Sequence, residues 1–253
     1  MTGVLAVNFD VPTFTRELFS TYFLLPAWTT FWVTMLAMPM GIGLGLVGAL
    51  GRVSRLALLR GIVSAYLWVF RGTPVLVQIV FWYFGTAELT NNLVNLPALA
   101  AGVLALGVNE GAYMTEIVRA GLLSVDRGQQ EAARALGMTY RQTMRRVVLP
   151  QALQVIIPPT GNEYISMLKT TSLLYIIAIP ELFSTAASLY SGNFRYFEAL
   201  VVVSMWYLFL TSILSAVQRR LEDRFGAGRL AVGRDTRGSV GRLFGFGAAR
   251  GAR

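Results

Sequence analysis

Long apolar runs separated by shorter polar ones set the pattern of the chain. Five of the runs reach the length of about 20 helical residues that a bilayer core of about 30 Å requires. They extend roughly from Thr21 to Leu50, Leu56 to Phe84, Pro97 to Leu123, Gln151 to Ile179 and Tyr196 to Val217. The alternating segments of a membrane β-barrel are not seen, and backbone groups in lipid must pair within their own segment. The pattern therefore predicts an all-α, polytopic membrane protein with about five transmembrane helices.

Polar positions inside and between these runs add detail. In the third run Asn109, Tyr113 and Glu116 are spaced four and three apart and share a helix face, with Glu110 about 100° away. In the fourth, Asn162, Ser166 and Lys169 repeat that spacing, flanked by Glu163 and Thr170. Ionisable groups in a span face protein or water and mark a pathway, so the two stripes are candidate walls of one substrate path. They offer acceptors for an ammonium and donors for a carboxylate. The competing reading is structural, with Glu116 paired to Arg119 and Glu163 to Lys169 or another helix.

The second run is interrupted at Arg71-Gly72-Thr73-Pro74, where proline removes a backbone donor and glycine loosens the helix. This break is read as a kink or hinge, with direct contact to a substrate carboxylate as the alternative for Arg71. Pro158-Pro159 is expected to distort the start of the fourth span and to act as a hinge. Trp68, Trp82, Tyr83, Trp206 and Tyr207 are read as interfacial anchors or packing groups. Between the third and fourth runs, Ala132, Ala133, Leu136, Tyr140, Met144 and Val147 alternate at helical spacing with Arg134, Arg141 and Arg145. That predicts two short helical pieces turning at Gly137, where a residue without Cβ reaches angles closed to others. A basic amphipathic helix lying on anionic lipid is the alternative.

Composition sharpens the class. Hydrophobic residues make up 55% of 253 and charged residues 14%, with a mean hydropathy of +0.56, values that belong to a multispanning membrane protein. The formal charge of +9 comes from 21 arginines and one lysine against 13 acids; in so apolar a chain it speaks to topology and not to nucleic acid. Arg52, Arg55 and Arg60 follow the first span, and Arg119, Arg127, Arg134, Arg141, Arg145 and Arg146 surround the third connection. Nine more arginines lie between Arg219 and Arg253, whereas Gly85 to Leu96 has none and Glu181 to Arg195 has one. The positive-inside rule then puts the amino terminus outside and the carboxyl terminus in the cytoplasm of a cell (plasma or inner) membrane, an odd number of crossings apart.

The expected division is an external segment 1–20, a membrane domain 21–218 with a cytoplasmic loop at about 124–150, and a flexible basic tail 219–253. The first twenty residues lack a basic start followed by a compact apolar core, so no cleaved signal peptide is expected. With no cysteine and no histidine, disulfides, histidine metal sites and histidine-dependent triads are excluded. Lys169 follows Leu168 and not the glycine of a phosphate-binding loop, so the chain carries no P-loop. No metal or cofactor is expected on this chain, and if ATP drives it, ATP and magnesium belong on a partner ATPase.

One spacing gathers these observations. Glu131-Ala132-Ala133 is followed after three residues by Gly137 and, nine residues later, by Val147-Val148-Leu149-Pro150. This resembles the cytoplasmic loop signature of ABC importer permeases, with Val147 in place of the usual isoleucine. Arg71-Gly-Thr-Pro-Val-Leu-Val-Gln78, Asn109-Glu-Gly-Ala-Tyr-Met-Thr-Glu-Ile117, Gly128-Gln-Gln-Glu-Ala-Ala133, Leu149-Pro-Gln-Ala152 and Lys169-Thr-Thr-Ser-Leu173 extend the resemblance. They point to the polar amino acid subfamily, which includes histidine, glutamine, arginine, glutamate and opine uptake systems. Thr170 departs from the Asp that follows this Lys in many members.

The resemblance implies a type I importer permease fold. It also implies partners: a second permease subunit, identical or similar, a cytoplasmic ABC ATPase dimer and an external solute-binding protein. Glu131, Ala132, Ala133, Gly137, Leu149 and Pro150 are the implied ATPase-coupling residues, in a helix held by a groove on the ATPase. The function expected is translocation of a polar amino acid, not catalysis. The runner-up is an ion-coupled secondary transporter or channel using Glu110, Glu116 and Glu163; an intramembrane enzyme is a third class, disfavoured by the missing His and Cys.

Overall fold

The computed structural model describes the backbone of residues 9–243 and side chains through residue 225. The first eight residues of the expected external segment and residues 244–253 of the expected tail lie outside the described residues. In chain order the helices are α1 (Val11–Leu18), α2 (Leu24–Val53), α3 (Ala57–Gly72), α4 (Val75–Val80), α5 (Thr86–Leu89), α6 (Ala98–Leu123), α7 (Arg127–Ala135), α8 (Tyr140–Thr143), α9 (Leu149–Thr170), α10 (Leu182–Asn193) and α11 (Tyr196–Leu243). No strand occurs among the described residues.

The helix α2 and the stretch Tyr196–Phe225 of α11 are each long and apolar enough to cross a membrane unaided. The third expected span, α6, has 26 residues, about 39 Å of helix, but carries Asn109, Glu110, Glu116 and Arg119. The second expected span is not continuous, and the fourth runs unbroken to Ile177 and bends only at its far end. α3 and the stretch Val75–Leu89 meet at 104°, and Tyr140–Ile177 meets α10 at 50°.

The first bend follows from Pro74, whose missing N–H and ring force Thr73 into extended geometry with φ −115° and ψ 145°. The second bend falls in a different place from the expected one. Pro158 and Pro159 both lie within α9, whereas the chain turns between Ile177 and Leu182, where Ala178 is left-handed with φ 58° and Pro180 precedes the cap of α10. There Glu181 caps α10, accepting from Phe183 N at 2.8 Å and Ser184 N at 2.6 Å, and accepts from the Tyr207 hydroxyl at 2.8 Å. The sequence pattern treats Glu181 to Arg195 as a connection, and α10 fills most of it.

Past Arg224 the backbone also departs from the expected tail: α11 runs on to Leu243. Extending an existing helix adds one hydrogen bond per residue fixed and needs no new nucleus.

The centre of the fold is the α2–α6 pair. In lipid no hydrophobic force drives helices together, so close approach through small residues does the work. Gly41, Gly45 and Gly48 of α2 lie on one face and receive Glu110, Met114 and Thr115 of α6; a Cβ on Gly45 would stand 2.3 Å from the Met114 Cβ. Gly107 and Gly111 return the arrangement, against Met40 and Leu44. Val33, Ala37, Met38, Leu106, Met114 and Met167 build the core around this seam. A second cluster of Phe23, Ala27, Leu182, Ala186, Ala199 and Val202 ties the start of α2 to α10 and α11. Trp28, Trp32, Leu36 and Leu46 point outward on α2, as on a lipid-facing surface.

Candidate functional site

Three parts of the fold line an open cavity of about 530 Å³. The break between α3 and α4 supplies Arg71, Gly72, Thr73, Pro74 and Val75; α6 supplies Leu106, Asn109, Glu110 and Tyr113; α9 supplies Glu163, Ser166, Met167 and Thr170. Its acidic and basic side chains are therefore one guanidinium and two carboxyl groups, beside the Tyr113 phenol. The Arg71 guanidinium stands over the Tyr113 ring, 5.5 Å from the centroid, an attraction between cation and ring face. Glu110 is only 6% exposed, and its Oε1 has no hydrogen-bond partner among the described residues.

The structure thus brings together Arg71, Gly72, Thr73, Pro74, Asn109, Glu110, Tyr113, Glu163, Ser166 and Thr170 on one cavity. Glu116, Asn162 and Lys169 lie elsewhere. Glu116 accepts from Arg119 Nε at 3.0 Å and Nη2 at 2.7 Å and faces Arg52 Nε at 3.9 Å. Since Arg52 also donates to Ser64 at 2.7 Å, this group ties the ends of α2 and α6 to the middle of α3. Asn162 faces α11, accepting from Gln218 Nε2 at 3.0 Å. Lys169 borders a separate groove with Ser172, Tyr207 and Thr211.

One contributor is absent from the sequence-derived candidates. Gln78 of α4 is buried, donates to Phe70 O at 3.1 Å and Thr73 Oγ1 at 2.9 Å, and accepts from Asn109 Nδ2 at 3.2 Å. An amide in an apolar helix one turn beyond a proline is the signal that points to it, because a buried amide must find partners.

The polar loop folds as two short helices. Asp126 caps α7 through Gly128 N at 2.7 Å. At its other end Gly137 has φ +76°; Gly137 N donates to Arg134 O at 2.9 Å and Met138 N to Ala133 O at 3.1 Å, the Schellman closure that a left-handed residue permits. Thr139 and Gln142 then start α8 with a reciprocal capping box. Glu131, Ala132 and Gly137 are exposed, as are Leu149 and Pro150, while Ala133 is turned inward. Leu136 and Tyr140, on either side of Gly137, are 82% and 71% exposed. From α8 the chain passes through a π-helical turn, Met144–Val148, into α9.

The family model for the inner membrane component of binding-protein-dependent transport systems matches residues 41–227. The chain belongs to this family. The permease is 44% identical over 231 residues to the arginine transport system permease protein of Corynebacterium glutamicum, covering 85% of this chain and 72% of that one. It is 36% identical over 195 residues to the glutamine transport system permease protein of Escherichia coli, covering 77% and 89%. Its fold matches a crystal structure of an amino acid ABC transporter with histidines at a TM-score of 0.77 and 37% identity, over 85% of this permease and 99% of that chain. The all-α membrane architecture and its type I importer character agree with these relatives, and the ion-coupled alternative finds no support among them.

Proposed function

We propose that this permease subunit forms the translocation path of an ATP-driven importer and that its cavity takes an amino acid with a cationic side chain. The observation that carries the reading is the charge inventory of the cavity. Two carboxyl groups and one guanidinium line it, and one carboxyl oxygen is buried without a partner among the described residues. A buried charge is costly unless paired, so Glu110 calls for a donor that the described residues do not supply. A cationic amino acid brings the complement: its carboxylate for Arg71, and its ammonium and side-chain cation for Glu110 and Glu163. Asn109, Tyr113, Ser166, Thr73 and Thr170 surround these with neutral polar groups. The volume lies within the usual range for small-molecule sites, about 300–1,000 Å³. Similarity to the arginine permease supports the same class.

The loop supports coupling to a cytoplasmic ATPase, where ATP and magnesium are bound. Leu136 and Tyr140 present apolar surface beside Gly137, Glu131 and Ala132, as a docking knob does. Ala133 holds the knob from within. Because Tyr140–Ile177 forms one helical stretch, a push at α8 reaches Glu163 about 35 Å away through a single rod. An external binding protein delivers the amino acid, and a second permease subunit completes the path on the membrane-exposed side.

The test is binding of radiolabelled arginine to the detergent-purified permease–ATPase complex without binding protein. Lysine is expected to compete, and citrulline, the neutral isostere of arginine, is expected to be at least about tenfold weaker, as befits a lost charge-assisted bond. Equal competition by citrulline would remove the cationic assignment.

A further inference from the structure

Pro74 creates a specific vacancy. In an unbroken helix the carbonyl of Phe70 would accept from the backbone N–H four residues on, and that residue is the proline. A carbonyl left bare inside a membrane bundle is costly. Here it accepts from two side-chain amides: Asn109 Nδ2 at 2.8 Å and Gln78 Nε2 at 3.1 Å. The same Gln78 nitrogen lies 3.2 Å from Thr73 O and 2.9 Å from Thr73 Oγ1, and Gln78 Oε1 accepts from Asn109 at 3.2 Å. One buried amide therefore spans both sides of the 104° break and joins it to α6. The residue after the bridged carbonyl is Arg71.

We infer that Gln78 is a positioning residue: with Asn109 it fixes the break in the second span so that Arg71 is aimed into the cavity. Asn109 grips the carbonyl of Phe70, and Tyr113, one turn further along α6, receives the guanidinium of Arg71. The two contacts register the break against α6 at successive turns. Gln78 reaches this arrangement from the far side of the bend, so α4 cannot swing relative to α3 without breaking it. Gln78 itself does not line the cavity; it acts through Phe70, Thr73 and Asn109. Its consequence for substrate rests on the reading of Arg71 as the carboxylate contact proposed above.

The chain has no cysteine, so in a complex assembled with a cysteine-free ATPase a single Arg71→Cys reporter can be modified selectively by a charged, water-soluble methanethiosulfonate. Gln78→Met keeps the length of the side chain and removes its donors and acceptor; Gln78→Glu keeps an acceptor and serves if the methionine variant fails to assemble. Either change is expected to slow modification of the reporter by about tenfold, the scale of a lost buried hydrogen bond. A Ser166→Cys reporter on the opposite wall should keep its rate. An unchanged rate at the Arg71→Cys reporter, in assembled complex, overturns the proposal.

A second readout is the preference of the complex for arginine over argininamide, which lacks the carboxylate. Gln78→Met should reduce that preference as Arg71→Ala does, and the two together should do no more than Arg71→Ala alone. A slowed reporter with the preference intact upholds the positioning role and overturns only the carboxylate reading of Arg71.

Discussion

Adding one methyl group at Gly45 should loosen the whole bundle. An ideal Cβ there lies 2.3 Å from the Met114 Cβ, 2.8 Å from the Met114 carbonyl carbon and 3.0 Å from Thr115 N. Carbon atoms rest at about 3.5–4.0 Å, so relief requires more than 1 Å of separation. Two of the three obstructing atoms are backbone, which no rotamer change can move aside. The helices α2 and α6 must part, and overpacking of this kind costs about 1–3 kcal/mol. Gly43, two residues away, provides the control, because a Cβ there meets nothing within 4 Å.

At Gly43 the methyl only restricts the unfolded chain and improves helix propensity, worth about 0.5–1 kcal/mol in favour of folding. Thermal unfolding of the purified permease in detergent, followed by tryptophan fluorescence, should then place Gly45→Ala below wild type and Gly43→Ala at or above it. Equal midpoints for Gly45→Ala and wild type would refute the claim that backbone proximity along this seam holds α2 to α6.

Glu110→Gln preserves shape while removing one of two carboxylates, so arginine binding to the permease–ATPase complex should weaken about tenfold, a charge-assisted bond becoming a neutral one, with little change for citrulline; a parallel loss for both ligands would contradict a charge role. Gly137→Val forces a β-branched residue into φ +76°, costing about 1–2 kcal/mol at an exposed turn. Membrane insertion should persist while ATPase co-purification and uptake fall, and undiminished co-purification would count against the docking knob. The Thr13 hydroxyl and backbone N–H, followed by Arg195, hold the Asp10 carboxyl below its ordinary value. A depressed carboxylate contributes stability above its unfolded pKa, about 3.9, and loses it as pH falls through the folded value. Asp10→Asn should therefore raise hydrogen exchange of α1 at neutral pH, and the difference from wild type should shrink as pH falls through the lowered folded-state value.

Much of this architecture was legible because lipid leaves few options: five long apolar runs had to be helical, and a proline at position 74 had to break one of them. Gly137 could be read as a turn from its place between two amphipathic pieces. The partition of polar residues was less accessible. Helical spacing grouped Asn109, Tyr113 and Glu116, yet the cavity meets the neighbouring face of Leu106, Asn109, Glu110 and Tyr113 and takes Glu110 in place of Glu116, which is occupied by Arg119 and Arg52.

On α9 the cavity-lining polar set is Glu163, Ser166 and Thr170, at intervals of three and four, while Asn162 and Lys169 face other surroundings. Periodicity places residues on faces but does not say which neighbour each face meets, and here α11 claims the face bearing Asn162. Gln78 was missed for the same reason: its partners lie across a bend of 104° that composition does not measure. The bend at Ile177–Leu182 escaped because the two prolines in α9 carried the stronger local signal, whereas the turn is made by Ala178 in a left-handed conformation ahead of Pro180 and the Glu181 cap.

The proposed function has this permease move a cationic amino acid with energy received through the loop around Gly137. Its most direct test is arginine uptake into liposomes containing the permease, its ATPase and its binding protein. Uptake is expected to require ATP inside and to be abolished when the ATPase is omitted. Arginine accumulation driven equally well by a proton or sodium gradient in the absence of ATP would rule out coupling through the loop.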